Sequence, residues 1–318
     1  MMPGTVATSA LRIGVIGIGA FGSRAAMRLL WSGFHHLMIY DTHEQTPRIF
    51  TGDYGGLSLG SPAMMAQQCD IIITALPSAV EMRDVFFGWE GLASGVNKGG
   101  LVMDIGVTDP LETVAMASEL KARGIQLVDA PAFGTPEDAR EGRLTMVVGG
   151  ADDAVERCQP VLEKLAARII RAGAVGSAQA AAAIADYLRA ARVLAASEAV
   201  RLGGHFGFAP ANLLEVCDAT GGAELAQMLR NEVAPRRFKT GHQLGLLRAN
   251  VALAERLADA AGLMSPLLAT TSDSLAKAEA CLGYSVDQSA IMKWLETLTV
   301  PHDAQADKSE PETTTGSA

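Results

Sequence analysis

The sequence predicts an α/β protein in which a doubly wound parallel sheet is followed by an all-helical region. Through residues 11–172, short apolar runs alternate with segments of helical period, which is typical of parallel strands joined by helices. Through residues 173–300 the pattern is almost entirely helical and begins with a long Ala-rich segment. We therefore expect two domains, with residues 1–10 as a flexible leader and residues 301–318 as a disordered polar tail.

The first predicted elements enclose a glycine-rich turn. Residues 11–16 are predicted as a buried strand, residues 25–31 as a helix and residues 37–40 as a second strand. The turn after the first strand reads Gly17-Ile18-Gly19-Ala20-Phe21-Gly22, a GxGxxG pattern in the strand-turn-helix context that a dinucleotide site requires. The alternative is an ordinary strand-helix-strand unit with an incidental glycine-rich turn.

Each glycine of this turn has a physical role in binding a pyrophosphate. Gly17 permits the tight turn, Gly19 lets the backbone approach the phosphates, and Gly22 allows the helix to pack closely on the sheet. The phosphates would lie at the helix N-terminus, where N–H groups and the helix dipole favour negative charge. Asp41 follows the second strand, and its carboxylate can accept hydrogen bonds from both ribose hydroxyls while repelling a 2′-phosphate. The sequence therefore predicts a Rossmann-type domain that binds NAD rather than NADP.

The alternation continues along the chain. Helices are predicted at residues 61–67, 78–87, 110–122 and 152–166, strands at residues 71–75, 101–104, 125–129, 145–149 and 168–171, and a loop at residues 52–60. Ligands of such sheets lie outside the carboxyl ends of the strands. This rule places Leu76, Pro77 and Val107 beside the nucleotide, and residues 130–135 beside the reacting centre.

Composition and charge exclude other classes of function. The 318 residues carry a net charge of −9 and offer no basic stripe for nucleic acid or an anionic membrane. We expect no metal site, and buried thiols in a reducing compartment, because four cysteines are widely spaced: Cys69, Cys158, Cys217 and Cys281. The N-terminus lacks the pattern of a signal peptide, and no apolar run reaches the ~18–20 residues that cross a bilayer. A cytoplasmic protein with a small-molecule substrate is the expectation.

Four segments in one order carry a family resemblance. They are GIGAFG, DAPAFGTPEDAREGRLTMVVGG at residues 129–150, GAVGSAQAAAAIAD at residues 173–186 and HQLGLLRANVALA at residues 242–254. They resemble the β-hydroxyacid dehydrogenase family, over about residues 11–296 of this chain. The resemblance implies a Rossmann-type domain, a helical substrate and dimerisation domain around a long interdomain helix, and hydride transfer between a nicotinamide and a carbonyl or alcohol carbon. It also implies a homodimer or homotetramer.

The lysines of the family are missing from this sequence. The resemblance places the catalytic lysine of the interdomain helix at Ala182, and the asparagine four residues later at Asp186. A lysine-aspartate pair of the last segment is replaced by Ala249 and Asn250. Without these lysines, the obvious partner of a substrate carboxylate is gone. We therefore expect a bulkier, less polar carbonyl, alcohol or imine as substrate.

The segment after Asp129 points the same way. The substrate-binding serine of the family is replaced by Phe133, an apolar surface, whereas Gly134 matches. We expect Phe133, Gly134 and Thr135 to contact the substrate, together with Ala182 and Asn250. The alternative for Phe133 is a place in the core, as for most aromatic residues.

Two residues are the main candidates for the proton transfer that the lysine would perform. Asp186 lies one turn after Ala182 on the same helix face, and burial in an apolar site would favour its neutral form. His242 replaces a phenylalanine that the resemblance places at the cleft, and an unperturbed imidazole pKa of ~6.5 suits proton transfer. Tyr187 is a third candidate, although it points about 100° away round the helix.

Each assignment has a plainer alternative. Asp186 can simply pair with Arg189 or Arg192, His242 can be an exposed residue at a helix start, and Asn250 can bond neighbouring polar groups. For the whole protein, the favoured hypothesis is an NAD-dependent oxidoreductase with non-lysine proton transfer. The alternatives are an enzyme similar to imine reductases, which mostly use NADPH, and an NAD-binding sensor or scaffold without turnover.

Overall fold

The structure, a computed structural model, describes residues 10–95, 99–220, 230, 236 and 238–298. Of the predicted leader it includes only Ala10, and the predicted tail lies outside the described residues. The chain divides into two compact units, each made of two stretches. The first comprises residues 1–191 and 246–273, and the second comprises residues 192–245 and 274–318. The domain limits predicted after residues 172 and 300 stay predictions.

Strands and helices alternate through most of the first unit, as predicted. They are β1 (Arg12–Ile16), α1 (Ala20–Trp31), β2 (His36–Tyr40), α2 (Gln45–Tyr54), β3 (Leu57–Ser58), α3 (Pro62–Gln68), β4 (Ile71–Thr74), α4 (Ala79–Phe87), α5 (Leu92–Gly95), β5 (Leu101–Asp104), α6 (Pro110–Lys121), β6 (Gln126–Asp129), β7 (Ala132–Phe133), α7 (Pro136–Glu141), β8 (Leu144–Gly149), α8 (Asp152–Leu165) and β9 (Ala166–Gly173).

One sheet runs through this unit in the order β3-β2-β1-β4-β5-β6-β8-β7, with β9 beside β8. All pairs from β3 to β6 are parallel, whereas β8 is antiparallel to β6 and β7. Neighbouring residues of β4 belong to different core clusters, Ile71 and Ile73 to one and Ile72 to the other. Because successive side chains of a strand point to opposite faces, the sheet is covered on both faces. The predicted α/β class is confirmed.

The prediction of a loop at residues 52–60 is wrong. Its first residues end α2, and Leu57–Ser58 forms β3, the edge strand beside β2. The helix forms because Pro47 and Phe50 are buried, although the helix contains Gly52 and ends before Gly55. The glycine content of this segment therefore predicts a loop where the structure has the end of a helix and a short strand.

The remaining elements are helical, as predicted. They are α9 (Ser177–His205), α10 (Pro210–Ala219), α11 (Leu244–Ala260), α12 (Pro266–Leu282), a 3-10 helix (Gln288–Ala290) and α13 (Ile291–Thr297). Helix α9 begins in the first unit and ends in the second. In the second unit, Ala196 and Met292 form a small core that Val200 and Leu214 partly cover.

The prediction of buried thiols holds for only part of the set. Cys158 is buried, Cys69 and Cys217 are partly buried, and Cys281 is exposed in the last turn of α12. Burial raises the pKa of the Cys69 and Cys158 thiols to about 12. In the described part of the chain, no helix is long and apolar enough to cross a membrane.

Candidate cofactor and substrate site

The glycine-rich turn has the close contacts that its sequence predicts. Gly17 has a φ of +90°, and a Cβ there would lie 2.5 Å from the Ala75 carbonyl oxygen. A Cβ at Gly22 would overlap the carbonyl oxygen of Gly17, so only glycine lets α1 start this close to the strand. Gly19 faces open space instead, with nothing within 4 Å of a Cβ position. The turn thus leaves room for a ligand at its middle glycine.

The N-terminus of α1 is suited to an anion. Gly19 is its N-cap, and within residues 10–95 no side chain caps this helix end. Ala20 and Gly19 are exposed, and Phe21 is partly buried. Helix N–H groups without a side-chain cap, together with the helix dipole, are what a pyrophosphate needs. The residues present therefore fit a dinucleotide.

Asp41 holds the same turn from the end of β2. One carboxylate oxygen, Oδ2, accepts a hydrogen bond from the Ile18 N–H at 2.8 Å, and Oδ1 accepts from the His43 N–H at 2.9 Å. The His43 ring lies 3.3 Å from Oδ1 and is largely exposed. Because a carboxylate offers about four acceptor positions, Asp41 can still accept from ribose hydroxyls. The sequence alone does not indicate the hydrogen bond between Ile18 and Asp41.

The ends of β4 and β5 meet at the same edge. A Cβ at Gly106 would lie 2.9 Å from the Leu76 carbonyl oxygen, which brings the segment after β5 against the segment after β4. Leu76 and Val107 are partly buried, and Pro77 is exposed. All three lie where the sequence places them, and their contact with the nucleotide stays a prediction.

Two buried carboxyl groups join the sheet to α9. Asp104 accepts from the Thr74 hydroxyl at 2.9 Å and from the side-chain amide of Gln179 at 3.2 Å. Asp129 accepts from the backbone N–H of Ala178 and of Gln179, both at 3.0 Å. Asp129 therefore caps the first turn of α9, and Gln179 connects both carboxyl groups.

Burial changes the titration of both groups. It raises the pKa of Asp104 to about 7, against the hydrogen bond from Thr74, which lowers it. It also raises the pKa of Asp129, although backbone N–H groups at the start of α9 act in the opposite direction. The sequence analysis does not single out Asp104 and Asp129 as site residues. Their common feature was visible there, since each ends a buried strand, and the register of β5 and β6 places them side by side.

The segment after β6 forms β7 and the start of α7. Phe133 is partly buried in β7, opposite Thr145 of β8. Gly134 has a φ of +144°, and a Cβ there would lie 2.9 Å from Leu144. Thr135 caps α7: its hydroxyl accepts from the Asp138 N–H and lies 2.7 Å from that carboxylate. The role that the structure gives Thr135 is to start a helix, and its substrate contact stays a prediction.

Ala182 and Asp186 lie on one buried face of α9. Ala182 is fully buried, and Asp186 is 5% exposed. Asn250 of α11 donates its side-chain N–H to Asp186 Oδ2 at 2.7 Å, and Arg189 Nη2 lies 3.5 Å from Oδ1. The pairing with Arg189 and the polar role of Asn250 are thus confirmed. The carboxyl group of Asp186 thus has an amide donor on one oxygen and a guanidinium beside the other.

His242 belongs to the second unit, two residues before α11. It is partly buried rather than exposed, and its backbone carbonyl accepts from the Gln288 N–H at 2.8 Å. Tyr187, the third candidate, is partly buried on α9. In the described residues, no group of three His, Cys, Asp or Glu side chains could hold a metal ion.

Two protein-family models match the chain, one over residues 12–174 and one over residues 176–295. Residues 12–174 match the model of the NAD binding domain of 6-phosphogluconate dehydrogenase, and residues 176–295 match that of the NAD-binding domain of NADP-dependent 3-hydroxyisobutyrate dehydrogenase. Human mitochondrial 3-hydroxyisobutyrate dehydrogenase is 33% identical over 210 residues, 66% of this chain and 62% of that protein. The 3-sulfolactaldehyde reductase of Escherichia coli is 32% identical over 190 residues, 60% of this chain and 63% of that protein. These matches span less than two thirds of the curated relatives' length.

Solved structures share the fold. A 3-hydroxyisobutyrate dehydrogenase of Mycobacterium tuberculosis, solved with L-serine, has a TM-score of 0.83 at 24% identity, covering 90% of this chain and 99% of that one. An imine reductase of Bacillus cereus has a TM-score of 0.61 at 16% identity, covering 89% of this chain and 98% of that one. With the geometry of the glycine-rich turn and both family models in agreement, the chain belongs to the β-hydroxyacid dehydrogenase family of NAD-binding proteins.

Proposed function

We propose that this protein is an NAD-dependent oxidoreductase that transfers a hydride between nicotinamide and a carbonyl or alcohol carbon of a bulky or apolar substrate. One observation carries the proposal: the chain keeps its glycine-rich turn, and Asp186 is buried and accepts a hydrogen bond from Asn250 at a position where the family has no carboxylate. A chain that had only lost its lysine would not need a buried, paired carboxylate one turn further on.

The substrate class follows from the residues at the positions that the family resemblance assigns to substrate binding and catalysis. Ala182 and Ala249 supply no ammonium group for a substrate carboxylate, and Asp186 would repel one. Phe133 adds an apolar surface in place of a hydroxyl. These three features support an uncharged substrate over a small hydroxy acid.

The contacts of Asp186 also suggest a direction for the proton. The bound cofactor supplies or accepts the hydride, and a group of the protein must move the proton of the alcohol oxygen. Asn250 and Arg189 hold the Asp186 carboxyl group in place, and this supports a role for Asp186 as the general base that takes a proton from an alcohol. His242 is the other candidate, and in its protonated form it would donate to a carbonyl oxygen.

Asp41 supports NADH over NADPH as the working cofactor. Its carboxylate is fixed at the end of β2 by Ile18 and His43, so a 2′-phosphate would meet a fixed negative charge. The same group keeps acceptor capacity for the ribose hydroxyls.

The test combines a substrate screen with two variants. NADH oxidation and NAD⁺ reduction are measured against small aldehyde-acids, bulky uncharged ketones and alcohols, and cyclic imines, in parallel with NADH binding. On the substrate that turns over, Asp186→Ala or His242→Ala should lower kcat by at least ~10²-fold, with Asp186→Asn as the shape-matched control for charge. If neither change has this effect, the proposed proton transfer is wrong.

An imine reductase is the second candidate. The Asp186 carboxylate favours it, because a protonated imine is a cation that a buried anion would stabilise. Turnover of cyclic imines but not of ketones would select this candidate. Tight NADH binding without turnover on any class would favour an NAD-binding sensor or scaffold instead.

We also propose a homodimer or homotetramer in the cytoplasm. The second unit exposes large apolar side chains around the end of α9, namely Leu202, Phe206 and Phe208, at 63%, 71% and 51%. Such exposed groups support association with a second copy. The four unpaired cysteines support a reducing compartment. Light scattering after size-exclusion chromatography and cell fractionation test the two statements, and a monodisperse monomer would refute the first.

A further inference from the structure

Asp287 collects five donors of the second unit at one carboxylate. Oδ2 accepts from the backbone N–H of Thr240 at 2.6 Å and of Gly241 at 3.2 Å. Oδ1 accepts from the backbone N–H of Ser289 at 3.0 Å and from its hydroxyl at 2.6 Å, and the Thr240 hydroxyl lies within 3.0 Å of both oxygens. This one side chain therefore ties residues 240–241 to the start of the 3-10 helix.

The chain after His242 is held by the same segment. Gln288 donates its N–H to the His242 carbonyl at 2.8 Å, Leu244 donates to Val286 at 2.8 Å, and Gly245 donates to Tyr284 at 3.0 Å. Gln243 and Asp287 pair as an antiparallel bridge between these bonds. His242 is thus fixed on both sides, by Asp287 before it and by a short ladder after it.

The charge of Asp287 and the glycine beside His242 strengthen this arrangement. Burial acts to raise the pKa of Asp287, but the hydrogen bonds from Ser289 and Thr240 outweigh it and hold the pKa below its ordinary value. Gly241 has a φ of +85°, a conformation that other residues rarely adopt. A carboxylate that stays ionised can keep accepting from every donor around it at neutral pH.

We propose that Asp287 is a positioning residue that sets the orientation of His242 for proton transfer. The inference rests on the proposed function of His242 and deepens it. Proton transfer requires placement to within about half an ångström, and a carboxylate on the two residues before the histidine provides that placement from the backbone. Asp287 touches no reacting atom in this role and acts through Thr240 and Gly241.

The test replaces the carboxylate by an amide. In Asp287→Asn the side-chain NH2 cannot accept, so either the Thr240–Gly241 contacts or the Ser289 contacts are lost. The matched control is Glu296→Gln, the same change on a carboxylate of α13 that bonds Arg236 at 2.7 and 3.0 Å. Should Asp287→Asn fail to fold, Ser289→Ala removes one donor only and gives a smaller effect of the same kind.

Two readouts separate positioning from general stability. The first is the NMR signal of the His242 imidazole, assigned by its loss in His242→Ala, and it needs no substrate. Asp287→Asn should shift or split this signal, and Glu296→Gln should not. The second is kinetic: Asp287→Asn should lower kcat about 10- to 100-fold at unchanged KM for NADH, with no further loss when combined with His242→Ala.

The outcomes distinguish the two proposals. An unchanged imidazole signal in Asp287→Asn overturns the positioning role, and so do losses that multiply in the double variant. A shifted signal together with full activity of His242→Ala supports positioning by Asp287 and refutes proton transfer by His242. A shifted signal and the non-additive loss of kcat support both.

Discussion

Asp41→Ala should lower both the stability of the protein without cofactor and its affinity for NADH. In the empty protein, the substitution removes the acceptor of the Ile18 N–H, a residue that is only 5% exposed. Leaving a partly buried donor without its charged acceptor costs about 1–3 kcal/mol. In the complex, losing one hydrogen bond between a ribose hydroxyl and a carboxylate costs about 1.5–3 kcal/mol, or about 10- to 150-fold in the Kd of NADH.

Asp41→Asn separates these two effects. Its amide oxygen can still accept from Ile18, so the free energy of unfolding should stay close to that of the wild type. The negative charge is gone in both variants, so the preference for NADH over NADPH should shrink in both. Calorimetric titration with NADH and NADPH gives the two affinities, and urea denaturation without cofactor gives the free energy of unfolding.

The change in cofactor preference and the change in stability can be refuted separately. An unchanged ratio of the NADH and NADPH affinities in both variants would remove the ribose argument. An unchanged free energy of unfolding in Asp41→Ala would show that the bond to Ile18 contributes nothing to the turn.

Three further predictions concern the buried polar groups and one close contact. Because the pKa of Asp104 is raised from 3.8 to about 7, its contribution to stability is complete below pH about 4 and is lost as the pH rises to about 7. The free energy of unfolding, measured by urea denaturation, should therefore fall across this pH range. Asp104→Asn should make this fall smaller. Gly245→Ala should destabilise by about 1–3 kcal/mol, because its Cβ would overlap the Tyr284 ring, and adding Tyr284→Ala should recover part of the loss. Asn250→Ala should cost about 1–3 kcal/mol by urea denaturation, because the buried Asp186 loses a donor, and Asn250→Asp should cost more by adding a second negative charge.

The contrary results are equally specific. A pH dependence that Asp104→Asn leaves unchanged would mean that other groups cause it. Additive losses in the Gly245 and Tyr284 pair would show that the ring does not occupy the space in solution. Equal stability of Asn250→Ala and Asn250→Asp would contradict the direct contact between residue 250 and the Asp186 carboxyl group.

The parts of the site that the sequence predicts are those with local spacing. The turn from Gly17 to Gly22 is read from six consecutive residues, and Asp41 follows at the end of the next strand. The partners of Asp104 and Asp287 are different, because Gln179 and Thr240 lie 75 and 47 residues away. Only the folded chain brings such residues together, so periodicity and spacing carry no trace of them.

The helical part shows the same limit in another form. Composition predicts that the chain beyond residue 173 is helical, but not that α9 and α11 each contribute to both compact units. It also predicts a loop at residues 52–60, where two buried side chains of α2 outweigh the glycines. In each case the local sequence pattern is compatible with more than one structure, and packing against distant residues determines which one forms.

The cap that Asp129 places on α9 has a consequence for slow motion. A helix end normally frays, and its first amide protons exchange with solvent within short times. Here the N–H groups of Gly176, Ala178 and Gln179 are bonded to a carboxylate of β6 that is itself buried. These protons can exchange only when the helix end separates from the sheet. Those of Ala178 and Gln179 should therefore be among the slowest of α9, and all three should report this separation rather than fraying of the helix.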